Sequence, residues 1–403
     1  MVQIVFVHGV AAPRDPVLYN QVSEHRQQFF DKFCFQETAV TYHNPHWAPH
    51  GAPGEETYKT VPKGKSGALL ALGDTSLGGA GGEDVGSLAS TTDIGLGGNI
   101  LTQMAKDDFP GLLNSLAIAA VDGGHNLGDE SVEIASNIAD YLIKRSDDSE
   151  EGMKTPPWLD DTITNDDQFM DKLSSEIEFD VRLLAADGDT TSLGLGNTLK
   201  KIGGKIAGGV IDLVDGPIAK KARKLTPKIA VFLGDAFAYI KDAPRRSQIR
   251  TVVRNTIVNA AKKAQQSNEK LILAGHSMGA NILVDMLFDP AAVTEIEADL
   301  GFPLQVDLLL TVGTQVGLFE ELSLFATSQA NTRQARAACV SRWWHIYNQM
   351  DVLSFTVTEV FDGAEQFRVN TKANIFNAHG AYFVSSIFHK RLRKRMRTAG
   401  LLT

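Results

Sequence analysis

The stretch LILAGHSMGANILVDM, residues 271–286, decides the fold that the sequence predicts. Its first apolar run is typical of a buried parallel strand, and its second run suits a helix that begins at Met278. Between the two runs, Gly275, Ser277 and Gly279 form the pattern G-x-S-x-G, which holds a serine at the tip of a sharp strand-to-helix turn. Ser277 is therefore a candidate nucleophile, and the alternative is a small residue in a glycine-rich turn.

The residues around Ser277 fit the requirements of such a turn. A side chain two positions before or after the serine would collide with the neighbouring strand or helix, and glycine at 275 and 279 removes that collision. His276 completes the predicted nucleophile elbow. We expect the backbone amide of Met278, at the helix N-terminus, to point to the space where an oxyanion would form.

Strands and helices alternate on either side of this unit. VQIVFVHG at residues 2–9 predicts a central strand, a helix with an Asp-Pro start follows it, and TAVTYH at residues 38–43 predicts the next strand. After residue 228 the sequence predicts a helix at 247–266, strands at 306–313 and 343–349, and a basic terminal helix. The order strand, helix, strand indicates an α/β fold with a mostly parallel central sheet flanked by helices.

The middle of the chain does not follow this alternation. Residues 51–228 begin with a glycine-rich stretch and continue with an acidic one that is typical of a solvated surface. Apolar pieces at 112–124 and 199–225 predict amphipathic helices within it. We therefore divide the chain into a core, residues 1–50 and 229–403, and an insertion or cap, residues 51–228. The insertion could be a lid that meets lipid, a cap that forms an acyl pocket, or a surface for a protein partner.

Composition and charge exclude several classes of protein. The chain has 403 residues and a net charge of −9, so nucleic acid is not an expected partner. Its cysteines, Cys34 and Cys339, have no metal-ligand spacing and indicate no disulfide scaffold. MVQIVFVHG lacks the features of a secretory signal, and no apolar run reaches the roughly eighteen residues of a membrane-spanning helix. We expect a cytoplasmic protein, with leaderless export and peripheral membrane contact left open.

A serine nucleophile needs a carboxylate and a base, and candidates for both follow it in the chain. Asp351 comes directly after the strand at 343–349, where the acid of a strand-end site belongs. Asp307 stands at the start of its strand, and Asp362 lies in a turn, which makes both weaker candidates. The alternative role for Asp351 is that of a helix cap.

His379 is the favoured base, because it lies after the acid in a polar loop before the terminal helix. His345 lies inside a strand and His389 on the basic helix, and a core histidine is the alternative interpretation of His379 as well. The second oxyanion donor would be the amide of Val10, in the turn that ends the first strand.

The segments VHGV, GHSMG, NQMDVLS and AHGAY resemble those of the α/β-hydrolase superfamily, esterase and lipase branch, and stand in the family's order. The resemblance covers roughly residues 1–50 and 229–395. It implies an α/β-hydrolase fold with a large insertion, and it implies Ser277 as nucleophile, Asp351 as acid and His379 as base. The amides of Val10 and Met278 would form the oxyanion hole. Substrate choice is not carried over, because the insertion lies outside the resemblance.

Histidines cluster beyond the second strand, in YHNPHWAPHG at residues 42–51. Their position at a strand C-terminus makes His46 and Trp47 candidates for the substrate pocket, together with His8 and Gly9 at the end of the first strand. A metal site is the weaker interpretation, because the intervening prolines prevent helical ligand spacing and no cysteine or carboxylate pair completes a set. We expect neither a metal nor another cofactor.

The function that these residues predict is a serine hydrolase that cleaves a carboxylic ester, of a lipid or another acyl group, through an acyl-enzyme. A thioesterase, an amidase or a peptidase would use the same triad. A noncatalytic hydrolase fold that binds a protein partner is the alternative from another class.

Overall fold

The computed structural model describes residues 1–10, 12–52, 98–122, 129–145, 155–184, 198–204, 206–207, 233–329, 332–371, 373 and 378–402. Within these residues it is an α/β protein in which six parallel strands form one sheet flanked by helices. The strands are β1 (Val2–Val7), β2 (Val40–His43), β3 (Lys270–His276), β4 (Leu308–Val312), β5 (Trp343–Tyr347) and β6 (Ala364–Arg368). The α-helices are α1 (Pro16–Phe29), α2 (Ile100–Asp122), α3 (Asp129–Arg145), α4 (Asp166–Leu184), α5 (Ala243–Ser267), α6 (Met278–Leu287), α7 (Pro290–Leu300), α8 (Val316–Glu321) and α9 (Ser386–Thr398). Residues 198–204 and 233–241 are also helical.

The strand order β2-β1-β3-β4-β5-β6 places the site in the sheet. β1 pairs with β2 on one side and with β3 on the other. The chain thus first adds β2 toward one edge of the sheet and then adds β3 and the later strands toward the opposite edge, which makes the boundary between β1 and β3 the reversal point of the strand order. β1 and β4 are buried along their whole length, as expected where helices cover both faces of a parallel sheet. Ligands bind to such sheets beyond the carboxyl ends of the strands at the reversal point. His8 follows β1 at that point, and Ser277 follows β3.

Aspartate and proline together begin several of the helices. The side chain of Asp15 accepts hydrogen bonds from the amides of Val17 and Leu18, and proline occupies the first turn of α1. The predicted Asp-Pro start of this helix is thus confirmed. The helix ends at Phe29, and the segment predicted as its last turn continues as a π-helix, Phe30–Phe35.

Helices α2 to α4 pack around a hydrophobic core of their own. It contains Leu112 and Leu116 of α2, Ile138 of α3 and Phe169 of α4, and Phe29 at the end of α1 joins it from the sheet side. All six strands come from the segments predicted as the core, and these three helices come from the predicted insertion. The glycine-rich residues 53–97 and most of the apolar piece at 199–225 lie outside the described residues. The division at residues 50 and 228 stays a prediction.

None of the helices in the described ranges combines the length and the apolar composition that crossing a bilayer requires.

Candidate active site

Ser277 lies at the tip of the turn between β3 and α6, in a strained backbone conformation. Its φ is 52° and its ψ is −127°, a region that residues other than glycine rarely adopt. The amide of Ser277 donates to the carbonyl of Val312 at 3.1 Å, and its own carbonyl accepts from the amide of Ala280 at 3.1 Å. These contacts hold a conformation that costs about 1–3 kcal/mol, and strain of this kind is concentrated at functional sites.

Glycine at 275 and 279 lets three backbone segments meet at this turn. A Cβ atom on Gly275 would lie 2.5 Å from the Cα of Ala280, inside the first turn of α6. A Cβ atom on Gly279 would overlap the carbonyl oxygens of Val7 and His8 at the end of β1. Both contacts are with backbone atoms, which cannot turn aside as a flexible side chain can. Only glycine therefore fits at these two positions.

The turn after β1 packs directly on the serine. A Cβ atom on Gly9 would lie 2.8 Å from the Cβ of Ser277 and 3.3 Å from Nδ1 of His276. Val10, the next residue, is partly buried against the main hydrophobic core. Met278 is the first residue of α6, so its amide has no acceptor within the helix. The structure thus brings both segments that carry the predicted oxyanion donors against Ser277.

Asp351 and His379 form a hydrogen-bonded pair beyond the carboxyl end of β5. Nδ1 of His379 lies 3.0 Å from each carboxylate oxygen of Asp351. Because a carboxylate can only accept, Nδ1 carries a proton, and in the neutral ring Nε2 then presents its lone pair. This is the tautomer that a base acting on a serine hydroxyl requires.

Asp351 is held as a carboxylate by its hydrogen bonds. Burial opposes its charge, but donors outweigh burial and hold the pKa of this carboxyl below its usual value of 3.8. The donors are the His379 ring, the amide of Leu353 at 3.0 Å and the hydroxyl of Tyr382 at 2.9 Å. Burial raises the pKa of Tyr382 above its ordinary value, so its hydroxyl stays a donor. The sequence argument missed Tyr382, which stands only three residues after His379 in AHGAY.

Oγ of Ser277 and Nε2 of His379 are both buried, and neither has a hydrogen-bond partner among the residues that the structure describes. Buried polar atoms are almost always paired, so such orphans require an explanation. Hydrogen bonds between catalytic groups are often unformed without substrate and close only in the reacting complex. The two atoms that the triad predicts to exchange a proton are thus both among the buried polar atoms that the rest of the fold leaves unpaired. Ser277 itself is fully buried, so access to it has to open.

His8 and Trp47 are stacked beside the serine turn. Their ring centroids are 4.7 Å apart with the planes at 4°, and Nε1 of Trp47 donates to the carbonyl of His8 at 3.0 Å. Burial lowers the pKa of His8 to about 3, so the ring is neutral. His46 stacks on Tyr19 at 4.1 Å next to this pair. Trp47 is only 1% exposed, so it contributes to the site as a buried ring packed on His8. Contact of His8, Gly9, His46 and Trp47 with a substrate stays a prediction.

The competing carboxylates are used elsewhere. Asp307 accepts from Nζ of Lys270 at 2.9 Å and lies at the amino end of the sheet, away from Ser277. Asp362 pairs with Arg333 at 2.9 Å, and both side chains are more than half exposed. Of the three candidate carboxylates, Asp351 is the one that the structure brings to His379.

The competing histidines are core residues. His345 contacts the hydroxyl of Thr311 at 3.0 Å and the carbonyl of Phe355 at 2.7 Å, and burial lowers its pKa to about 4. His389 contacts the carbonyl of Phe383 at 2.8 Å, and burial lowers its pKa to about 4 as well. Both rings serve the packing of the sheet and of α9.

Two of the histidines weighed as metal ligands have other partners. Nε2 of His43 lies 2.7 Å from the side-chain oxygen of Gln3, and Nε2 of His46 lies 2.7 Å from the carbonyl of Pro13. In the part of the chain that the structure describes, no group of three or more His, Cys, Asp or Glu side chains is arranged to hold a metal ion.

Comparisons of this protein with protein-family models, with curated proteins and with solved structures found no match. The family resemblance therefore stays a prediction. The arguments for function rest on the geometry of this chain.

Proposed function

We propose that the protein is a serine hydrolase with the α/β-hydrolase fold and that it cleaves a carboxylic ester. One observation carries the proposal: the strained Ser277 and the base of the Asp351–His379 pair each leave one buried atom unpartnered. A serine that only fills a glycine-rich turn needs neither the strained backbone nor a buried, oriented imidazole. The position of Ser277 supports the proposal, because it follows β3 beside the reversal between β1 and β3, where α/β sheets bind ligands.

The proposed reaction proceeds in two steps. Oγ of Ser277 attacks the ester carbonyl carbon while Nε2 of His379 takes the hydroxyl proton, and the amides of Met278 and Val10 bind the oxyanion. His379 gives that proton to the leaving alcohol, which departs and leaves the acyl group on Ser277. Water, deprotonated by His379, then attacks the acyl-enzyme, and collapse releases the acid and restores the serine. Asp351 stays ionised throughout and holds the tautomer of His379.

The acyl group is that of a lipid or of another carboxylic acid. The apolar residues 112–121, part of the piece predicted above as an amphipathic helix, belong to α2, and Leu112 and Leu116 are buried in the core of the helical region. The triad serves esters, thioesters and amides alike, so the choice of an ester rests on the resemblance, and the substrate panel below tests it. The cytoplasmic location and peripheral contact with a membrane remain predictions.

The test is labelling by a fluorophosphonate, which reacts quickly only with an activated serine. We expect the wild-type protein to be labelled and Ser277→Ala to be unlabelled. Ser23→Ala is the matched control, because Ser23 is also buried but lies in the regular helix α1. Its labelling should equal that of the wild type. Parallel assays with p-nitrophenyl esters of increasing chain length, thioesters and anilides identify the bond that is cleaved.

Two results would end the proposal. One is undiminished labelling or turnover by a folded Ser277→Ala variant. The other is a well-folded wild type that is neither labelled nor active on any member of the panel, even after prolonged incubation, which would favour a protein that uses this fold only for binding.

A further inference from the structure

His276 joins the parts of the site that come from distant positions in the chain. Its Nε2 lies 2.9 Å from the backbone carbonyl oxygen of His379, across 103 residues of sequence. The two imidazole rings lie 4.7 Å apart, centroid to centroid, with their planes at 36°. On the other side, Nδ1 of His276 faces the close approach of Gly9. The ring thus lies between His379 and the turn after β1, which carries Gly9 and the predicted oxyanion donor Val10 and which we call the oxyanion turn.

The hydrogen bond defines which nitrogen of His276 carries a proton. A carbonyl oxygen only accepts, so Nε2 is the donor. Burial, and to a smaller extent the positive charge that His379 can carry, lower the pKa of His276 to about 3. The ring is therefore neutral at the pH where a serine hydrolase works. It anchors the carbonyl of His379 without placing a second cation against the imidazole that has to accept a proton.

The aromatic surroundings leave the ring little freedom to turn. Phe383 packs edge-on against His276, with centroids 5.1 Å apart and planes at 86°, and Tyr382 lies at 6.2 Å. Tyr382 also donates to Asp351, so one short segment after His379 contacts both the acid and His276. Asp351 orients the imidazole of His379 through Nδ1, but this contact alone leaves the backbone of His379 free to shift.

We propose that His276 is a positioning residue: its Nε2–H fixes the backbone of His379, and its ring supports the imidazole, so that Nε2 of His379 stays aimed at Ser277. This role rests on the proposed function, since it matters for catalysis only if Ser277 is the nucleophile. A displacement of about 1 Å in a reacting group costs on the order of 100-fold in rate. Loss of the anchor should therefore lower the rate of the chemical step and leave substrate binding nearly unchanged.

The test uses two variants with the same side-chain amide. His276→Gln places its amide nitrogen near the position of Nε2 and keeps the donor, whereas His276→Asn is one methylene shorter and cannot reach the carbonyl. We expect His276→Asn to lose about 10–100-fold in fluorophosphonate labelling rate and in kcat, with KM within about threefold of wild type. His276→Gln should recover most of that loss. Equal rates for wild type and a folded His276→Asn, or equal losses in both variants, would overturn the proposal.

A second readout does not depend on activity. The proton that Nδ1 of His379 shares with Asp351 should give a low-field proton NMR signal, assigned by its disappearance in Asp351→Asn. We expect this signal in the wild type and in His276→Gln, and its loss or broadening in His276→Asn. An unchanged signal in His276→Asn would refute the positioning role. A wild type that shows the signal but hydrolyses nothing would refute the esterase proposal, and the signals of the variants would still decide the role of His276.

Discussion

Replacing Gly9 by alanine should disable the proposed nucleophile while the protein stays folded. The new Cβ would lie 2.8 Å from the Cβ of Ser277, whereas carbon atoms in contact prefer about 3.5–4.0 Å. Relief of this overlap moves the serine or the oxyanion turn by about 1 Å, because the next nearest atoms, Nδ1 and the carbonyl oxygen of His276, are themselves only 3.3 Å away. A shift of that size costs on the order of 100-fold in rate. Overpacking of this kind costs about 1–3 kcal/mol in the free energy of unfolding.

The assay compares the second-order rate of fluorophosphonate labelling with the free energy of unfolding from urea titration. Gly380→Ala is the matched control, because Gly380 is adjacent to His379. A Cβ atom added at Gly380 would have no atom of the described residues within 4 Å, and the φ of −90° at this position suits alanine. We expect Gly380→Ala to react within about twofold of the wild-type rate. Labelling of a folded Gly9→Ala at the wild-type rate would show that the turn after β1 does not constrain the nucleophile.

Two further predictions concern carboxylates. Asp351→Asn should lower the labelling rate roughly 10³–10⁴-fold at pH 7. Because the pKa of Asp351 lies below 3.8 in the folded protein, its charge stabilises the fold above that pH, and this contribution is lost on acidification. Urea titrations should therefore show the wild type losing its stability advantage over Asp351→Asn below pH 3.8, and a widening difference in the free energy of unfolding would contradict this. Asp285→Asn should cost about 3–5 kcal/mol in the free energy of unfolding, because Asp285 is buried and accepts from Tyr239, Arg246 and Arg250 at 2.7 Å each. Glu295→Gln, which neutralises one of the two exposed partners of Arg254, should cost less than about 1 kcal/mol, and equal losses in Asp285→Asn and Glu295→Gln would refute the argument from burial.

The elements that the sequence predicted are those with local signals. Apolar runs in the sequence predicted β1, β3 and β4, and the residue pair Asp15-Pro16 predicted the start of α1. The same start occurs at Asp289, which caps α7, yet this helix was not predicted although its signal was present. β6 was missed for a different reason: it is an edge strand with the partly exposed sequence AEQFR, and it has no apolar run to detect.

Helix α4 shows how charge can hide an amphipathic pattern. Its residues fall in the acidic stretch that the sequence indicated as a solvated surface, and its outer face carries Asp167 and Asp171, whose side chains are more than half exposed. The opposite face nevertheless buries Phe169, Leu173 and Ile177 in the helical core. The acidic composition describes the outer face correctly, and the spacing of the apolar residues, three to four apart, was the signal from which this unpredicted helix could have been located.

Within the site, side chains were predictable but most of their partners were not. Ser277 and Asp351 follow strands in patterns that local chemistry explains. The donation from Tyr382 to Asp351 spans 31 residues, and that from His276 to His379 spans 103. Contacts over such separations depend on the order of the strands in the sheet, which the sequence argument did not address.

The register of β1 against β3 explains why Gly9 is part of the site. These strands are parallel and neighbouring, and Val7 is aligned with Gly275. Continuing that alignment by two residues beyond the strands brings Gly9 opposite Ser277, at the position where the chain turns sharply into α6. A side chain at residue 9 would therefore point into the nucleophile, and the oxyanion turn can approach the serine only because residue 9 has no Cβ. With the strand order known, the pairing places residue 9 opposite Ser277, and the close approach of the two turns then requires glycine at residue 9, with no assumption about the substrate.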